Sequence, residues 1–125
     1  MLRDAQVRPM LAVTDLTAAK DFYGQKLGLE SVFADDDVLI YSVGSSQIAV
    51  YVSTFAGTNK ATAAAFRVKD VEGTVEALRA KGATFEHYDD LPETTRKGDV
   101  HYSGDFMVAW CKDPAGNILS IEKAD

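Results

Sequence analysis

Residues 7 to 13, VRPMLAV, form an apolar, strand-like run that stops at Thr14-Asp15, and beyond that point the hydrophobic spacing changes period. Leu16, Ala19, Tyr23 and Leu27 recur at helical intervals. Asp15 offers carboxylate oxygens to the free amides of a first turn, and Gly28 supplies a residue that tolerates a helix end. The spacing predicts a helix over 16–27. Residues 64 to 70, AAFRVKD, repeat this grammar: a strand-like run meets Asp70, Val71, Val75 and Leu78 mark a helical face, and Gly82 closes it. Asp70 follows Asp15 by 55 residues, and at that offset Leu11 meets Phe66, Val13 meets Val68, Leu16 meets Val71 and Lys26 meets Lys81. A matched strand, capped helix and glycine stop at one period suggests an internal duplication.

Each helix is followed by further strand-like runs. The first half has Glu30 to Ala34, Val38 to Val43 and Gln47 to Ser53; the second has Thr84 to Tyr88, Met107 to Lys112 and Ile118 to Glu122. Both halves therefore read βαβββ, with turn signals at Gly44-Ser45-Ser46 and at DPAGN. The expected organisation is one α+β domain, 1–125, made of two modules at about 6–55 and 61–124. Between Asp89 and Asp105 the pattern leaves one long polar loop, DDLPETTRKGDVHYSGD. Loops of that length are either functional or frayed.

Charge narrows the function classes. Nineteen acidic residues against thirteen basic give a formal charge of −6, which would repel a phosphate backbone. No glycine-rich phosphate loop or nucleophile elbow is present. Nucleic acid is thus not an expected partner, and apolar runs far short of the roughly 20 residues that cross a bilayer argue against a membrane one. A single cysteine, Cys111, and the lack of a secretory pattern at the N-terminus point to a reduced, cytoplasmic protein. A neutral, aromatic or cationic small molecule is the expected ligand class.

Three segments, LAVTDLTAAKDFYGQKLGLE (11 to 30), FRVKDVEGTVEALRAKGATFE (66 to 86) and AWCKDPAGNILSI (109 to 121), resemble the vicinal oxygen chelate superfamily. That group includes glyoxalase I, extradiol dioxygenases, and fosfomycin- and bleomycin-resistance proteins. The resemblance implies two βαβββ modules whose strands form a curved, partly open barrel around a cleft. In catalytic members it also implies a metal held by His, Gln and Glu side chains from four strands. The matching positions here are Arg8, seven before Asp15; Ala63, seven before Asp70; Ser120, seven after Asp113; and a residue near Tyr51. Alanine offers no donor, and arginine would set a permanent positive charge beside a cation. Neither a metal nor another cofactor is expected. A displaced site would need Glu122, Gln6 and Gln47 to move together, and a second alternative pairs His87 and His101 with nearby aspartates.

Residues two apart on a strand share a face, so the side chains accompanying these positions are candidates for a ligand cleft. They are Arg8 and Met10 from the first strand, Arg67 from its repeat, Tyr41 and Tyr51 from the first module, Phe106, Val108 and Trp110 from the strand before DPAGN, Ser120 from the last strand, and His101 from the long loop. Trp110 offers stacking and cation–π contact; the arginines either orient an anion or pair with acidic neighbours. Cys111, on an apolar strand, reads as an inert core thiol. The leading expectation is a metal-free, non-catalytic binding protein of the bleomycin-resistance kind that sequesters an aromatic or polycyclic compound, as a homodimer by analogy. The alternative is an enzyme, a lyase, isomerase or dioxygenase, with a non-standard metal site or with His101 or Tyr102 as acid or base. A third is a structural module whose cleft is filled by its own side chains.

Overall fold

The computed structural model describes residues 1–125. The first module runs β1 (Met10–Val13), α1 (Leu16–Ala19), which continues as a π-helical stretch (Lys20–Lys26), β2 (Glu30–Ala34), β3 (Val38–Val43) and β4 (Ser46–Val52). The second runs β5 (Thr62–Val68), α2 (Val71–Ala80), β6 (Phe85–Glu86), β7 (Thr95–Lys97), β8 (Val100–Ser103), β9 (Phe106–Lys112) and β10 (Ile118–Lys123).

Asp15 caps the first helix, accepting from the Thr17 and Ala18 amides at 2.9 and 3.3 Å; Asp70 caps α2, accepting from Gly73 at 2.9 Å. The first helix spans the expected residues but winds wide after Ala19, where the Leu27 amide donates to the Phe22 carbonyl five residues back. Gly28 and Gly82 close the helices at φ 72° and 98°, a region that a side chain would strain.

The two sheets repeat one topology. Strand order is β1-β4-β3-β2 in the first and β5-β10-β9-β8-β7 in the second, with β1 parallel to β4 and β5 parallel to β10. They stand as separate open sheets and do not close into a barrel. Nineteen buried apolar residues form one cluster shared by both modules, from Leu11, Phe22 and Tyr23 to Val71, Val75 and Leu119. A polar knot also ties the modules. Asp113, 4 % exposed, accepts from the Tyr23 hydroxyl at 2.7 Å, from Asn117 Nδ2 and the Asn117 amide at 2.8 Å, and from the Ala115 amide at 3.0 Å. Asn117 Nδ2 in turn donates to the Ala12 carbonyl at 2.7 Å. The DPAGN turn is thereby bolted to the first strand and the first helix.

Two expectations change. The first strand starts at Met10, not Val7: Pro9 has no amide to donate, its carbonyl accepts from Ala49, and Val7 and Arg8 stay exposed. The long polar segment is not a plain loop. It holds a hairpin, β7 against β8, joined by Gly98-Asp99, and a second tight turn at Gly104-Asp105 leads into β9. Both turn glycines have positive φ, as two-residue hairpin loops require. The expected strand 84–88 shrinks to Phe85–Glu86. Glu86 pairs with Trp110 and His101 with Val108, so partners two apart on β9 are fifteen apart on the facing chain; thirteen residues are looped out of that edge.

Candidate functional site

Register writes out the open face of the second sheet. Ser120 lies between Ala65 and Trp110; one step along, Glu122 lies between Arg67 and Val108, and Val108 faces His101; the next step sets Phe106 opposite Ser103. All of these side chains but Arg67 line a cleft of about 330 Å³, completed by Thr62 and by Leu91 and Thr94 from the looped-out segment. That volume suits a small organic ligand. Two other grooves are larger, about 590 and 680 Å³. The first is polar, and neither gathers aromatic rings beside buried polar groups.

Trp110 is held by its surroundings. Its Nε1 donates to Thr62 Oγ1 at 3.2 Å, and its ring meets Tyr88 and His101 edge to face, with centroids 5.1 and 4.8 Å apart. His101 is fully buried, and its Nε2 accepts from the Tyr88 amide at 3.0 Å. The proton therefore sits on Nδ1, which has no partner of hydrogen-bonding geometry. Burial lowers the His101 pKa, with the Val108 carbonyl pulling the other way, and the ring is neutral at pH 7. Ser120, 2 % exposed, lines the cleft beside Trp110. Glu122 is the one carboxylate of the lining, and Arg67 Nε stands 3.6 Å from it while pairing with Asp125 at 3.1 Å.

Of the ten sequence-derived candidates, the structure brings His101, Phe106, Val108, Trp110 and Ser120 together. Arg67, its side chain about half exposed, adjoins them through its pairing with Glu122. The other four lie elsewhere. Arg8 precedes β1 in an exposed polar groove with Gln6, Ser46 and Gln47. Met10 and Tyr51 are on the open face of the first sheet, Met10 52 % exposed. Tyr41 points the opposite way from Tyr51: it is 3 % exposed, in the core, with its ring 6.0 Å from Tyr23. The expectation places both tyrosines in one cleft; Tyr41 lies opposite Ile48 and Tyr51 opposite Val38, and alternation separates them.

Thr62, Leu91, Thr94 and Ser103 are lining residues that sequence reasoning missed. Ser103 follows His101 by two and was within reach of simple alternation. Leu91, an isolated apolar residue in DDLPETTRKGD, was also a signal. Thr62 was not, because a register shift between Ile118 and Leu119 sets its place.

The side chains present do not fit a divalent cation. No three His, Cys, Asp or Glu converge anywhere. His87 Nε2 is engaged by Asp99 at 2.8 Å and His101 Nε2 by the Tyr88 amide, while Glu122 is paired with Arg67. Gln6 and Gln47 share the polar groove of Arg8 and do not line the cleft of Glu122. Of the two loop candidates for acid–base chemistry, Tyr102 donates its hydroxyl to Glu72 on α2 at 2.9 Å, while His101 lines the cleft. Cys111 is buried, and burial with the nearby Asp113 pushes its thiol up to about 11.

The family model described as "Glyoxalase/Bleomycin resistance protein/Dioxygenase superfamily" matches residues 5–121. No curated protein matches the chain significantly by sequence. Among solved structures, the bleomycin-binding protein from bleomycin-producing Streptomyces verticillus, complexed with copper(II)-bleomycin, is 22 % identical, with all of both chains covered and a TM-score of 0.76. The lactoylglutathione lyase of Agrobacterium tumefaciens is 19 % identical over 99 % of this chain and 96 % of its own, at 0.72. The fosfomycin resistance protein FosX of Mesorhizobium loti is 10 % identical over 98 % and 93 %, at 0.69. Binding proteins and enzymes share this fold at similar scores, so the likeness fixes architecture alone.

Proposed function

The chain belongs to the Glyoxalase/Bleomycin resistance protein/Dioxygenase superfamily, and from that membership we propose that it binds a small aromatic or polycyclic molecule, of the antibiotic kind, without a metal and without turnover. The observation that carries this reading is the cleft itself: Trp110, Phe106 and Val108 supply an apolar, aromatic wall, and Ser120, Ser103 and Thr62 supply hydroxyls. A few placed polar groups on an apolar wall fix a ligand's orientation. Metal independence draws support from the donor set, which lacks a convergent trio. Bleomycin binding by two structural relatives, each about one-fifth identical, supports the ligand class by analogy.

The same reading makes the protein a cytoplasmic homodimer. Its support is the first sheet, whose open face leaves Met10 and Phe33 about half exposed, 52 % and 48 %, beside Ile40 and Tyr51. A second copy could cover that face. Light scattering on the purified protein reads this directly.

Two measurements test the binding reading. Elemental analysis of protein purified without chelator or nickel resin should find metal far below one mole per chain. Titration of an aromatic antibiotic panel, followed by fluorescence of the single tryptophan, should give saturable binding with the compound recovered unchanged. Stoichiometric metal, or conversion of a bound compound, would transfer the protein to the enzymatic side of its family.

A further inference from the structure

The thirteen residues looped out of the β6–β8 edge have no counterpart in the first module, where β2 runs unbroken beside β3 apart from a one-residue irregularity. They are not a free loop. His87 Nε2 meets Asp99 Oδ1 at 2.8 Å across the neck, and Arg79 on α2 holds the other Asp99 oxygen at 2.6 Å. Arg96 grips Asp89 with Nε and Nη2 at 2.7 and 3.0 Å and reaches the Gly98 carbonyl at 2.7 Å. The segment so folded lays Leu91 and Thr94 against the cleft. Its first residue beyond the neck, Tyr88, is tied from below: the amide donates to His101 Nε2, and His101 packs its ring edge-on to Trp110.

Building on the binding reading, we propose that the 88–100 segment is a cover for the cleft and that His101 is its positioning residue, coupling the Trp110 wall to the closed state of the cover through the Tyr88 amide. Three features converge on this. The acceptor is buried, so water does not replace it when the bond is lost. The Tyr88 ring lies 5.1 Å from Trp110 and 6.0 Å from His101, so a displaced Tyr88 unpacks the wall. The imidazole accepts only while neutral, because a protonated ring is a donor at both nitrogens and repels the Tyr88 N–H. Of the charged groups facing it, Arg96 of the cover and His87 at its neck oppose protonation and Asp89 favours it, while Glu122 lines the same cleft from β10. The cover should therefore open as pH falls below the ordinary histidine range.

Two readouts need no ligand. Amide exchange at Tyr88 reports the latch, and acrylamide quenching of Trp110 reports access to the cleft. His101→Leu should raise Tyr88 exchange by about tenfold or more and quenching by about twofold. His101→Gln, which keeps an acceptor near Nε2, should restore both toward wild type and abolish the wild-type protein's acid-induced opening below the ordinary histidine range. Wild-type Tyr88 exchange independent of His101 protonation, after correction for intrinsic rates, would overturn the proposal. So would a folded His101→Leu variant with unchanged exchange and quenching. If the latch behaves as described but the antibiotic panel never binds, the binding reading falls and the cover stands; if compounds bind while both readouts ignore His101, the reverse holds.

Discussion

Tyr23→Phe is the sharpest test of what holds the two modules together. It deletes one oxygen from a fully buried ring and leaves the apolar packing in place, including the edge-on contact with Phe22 at 5.0 Å. What is lost is a 2.7 Å hydrogen bond to the buried Asp113 carboxylate, which keeps three other donors. Bonds to charged groups contribute about 1.5–3 kcal/mol net. Asp113 stays largely satisfied, so the lower half of that range applies, and a loss of about 2 kcal/mol is expected. For a domain of this size that lowers Tm by roughly 6–12 °C. Burial first, and then the Asp113 charge, push the Tyr23 phenol far above its ordinary pKa, so it remains a donor and the loss should be the same from pH 6 to 9. Guanidinium unfolding with an unchanged m-value reads the difference. A shift below about 0.5 kcal/mol would mean that the knot is ornamental and the shared apolar cluster alone joins the modules.

Gly57→Ala would place a Cβ 2.2 Å from the Ala115 carbonyl at φ 73°, so it should cost about 2 kcal/mol or more, visible as a fall in the denaturation midpoint. His101 and Asp99 both have lowered folded-state pKa values, His101 chiefly through burial and Asp99 chiefly through the His87 contact, then Arg79. Each group's contribution is complete above its unfolded pKa, about 6.5 and 3.9, and is lost as pH falls through the folded value. Urea midpoints should thus decline in two acid steps, and His101→Gln should remove the first. Cys111, buried with its thiol near 11, should react with a disulfide reagent at pH 8 only on unfolding, on the order of a hundredfold slower than the denatured chain. Trp110→Ala should weaken any cleft ligand by about tenfold or more, measured calorimetrically because the fluorophore is gone.

Local chemistry made the repeated frame legible. Two aspartate caps, two glycine stops and the DPAGN turn each declare themselves within a few residues, and each is satisfied by backbone groups nearby. Strand alternation then recovered half of the candidate site, because β9 and β10 are regular where they pair from Trp110 to Val108. It failed where a long-range event sets the geometry. Pro9 delays β1, so Arg8 never enters a sheet. Alternation divides the two tyrosines of β3 and β4 between opposite faces. The hairpin inside the polar segment was signalled by KGDV and SGDF, two glycine-aspartate pairs between short β-prone runs. The high polarity of DDLPETTRKGD masked it.

The asymmetry between the modules indicates where specificity is built. Both need a strand, a capped helix and a three-strand return, and the residues that secure those features face inward or along the backbone. The ligand face is under no such constraint, which is why it can carry Ala65 and Ser120 without disturbing either cap or core. An insertion in β1 or β4 would break the short parallel pairing that Asn117 fastens through the Ala12 carbonyl. At the β6–β8 edge it costs only a few ladder bonds, replaced by the Arg96–Asp89 and Asp99 ion pairs, and it delivers new side chains to the mouth of the cleft. Exchanging residues 90–95, which carry Leu91 and Thr94 and leave Tyr88, the Arg96–Asp89 and Asp99 pairs and the core residue Val100 in place, should therefore change which molecule binds while leaving the unfolding midpoint nearly intact. A large fall in stability would instead place the segment among the elements that hold the fold.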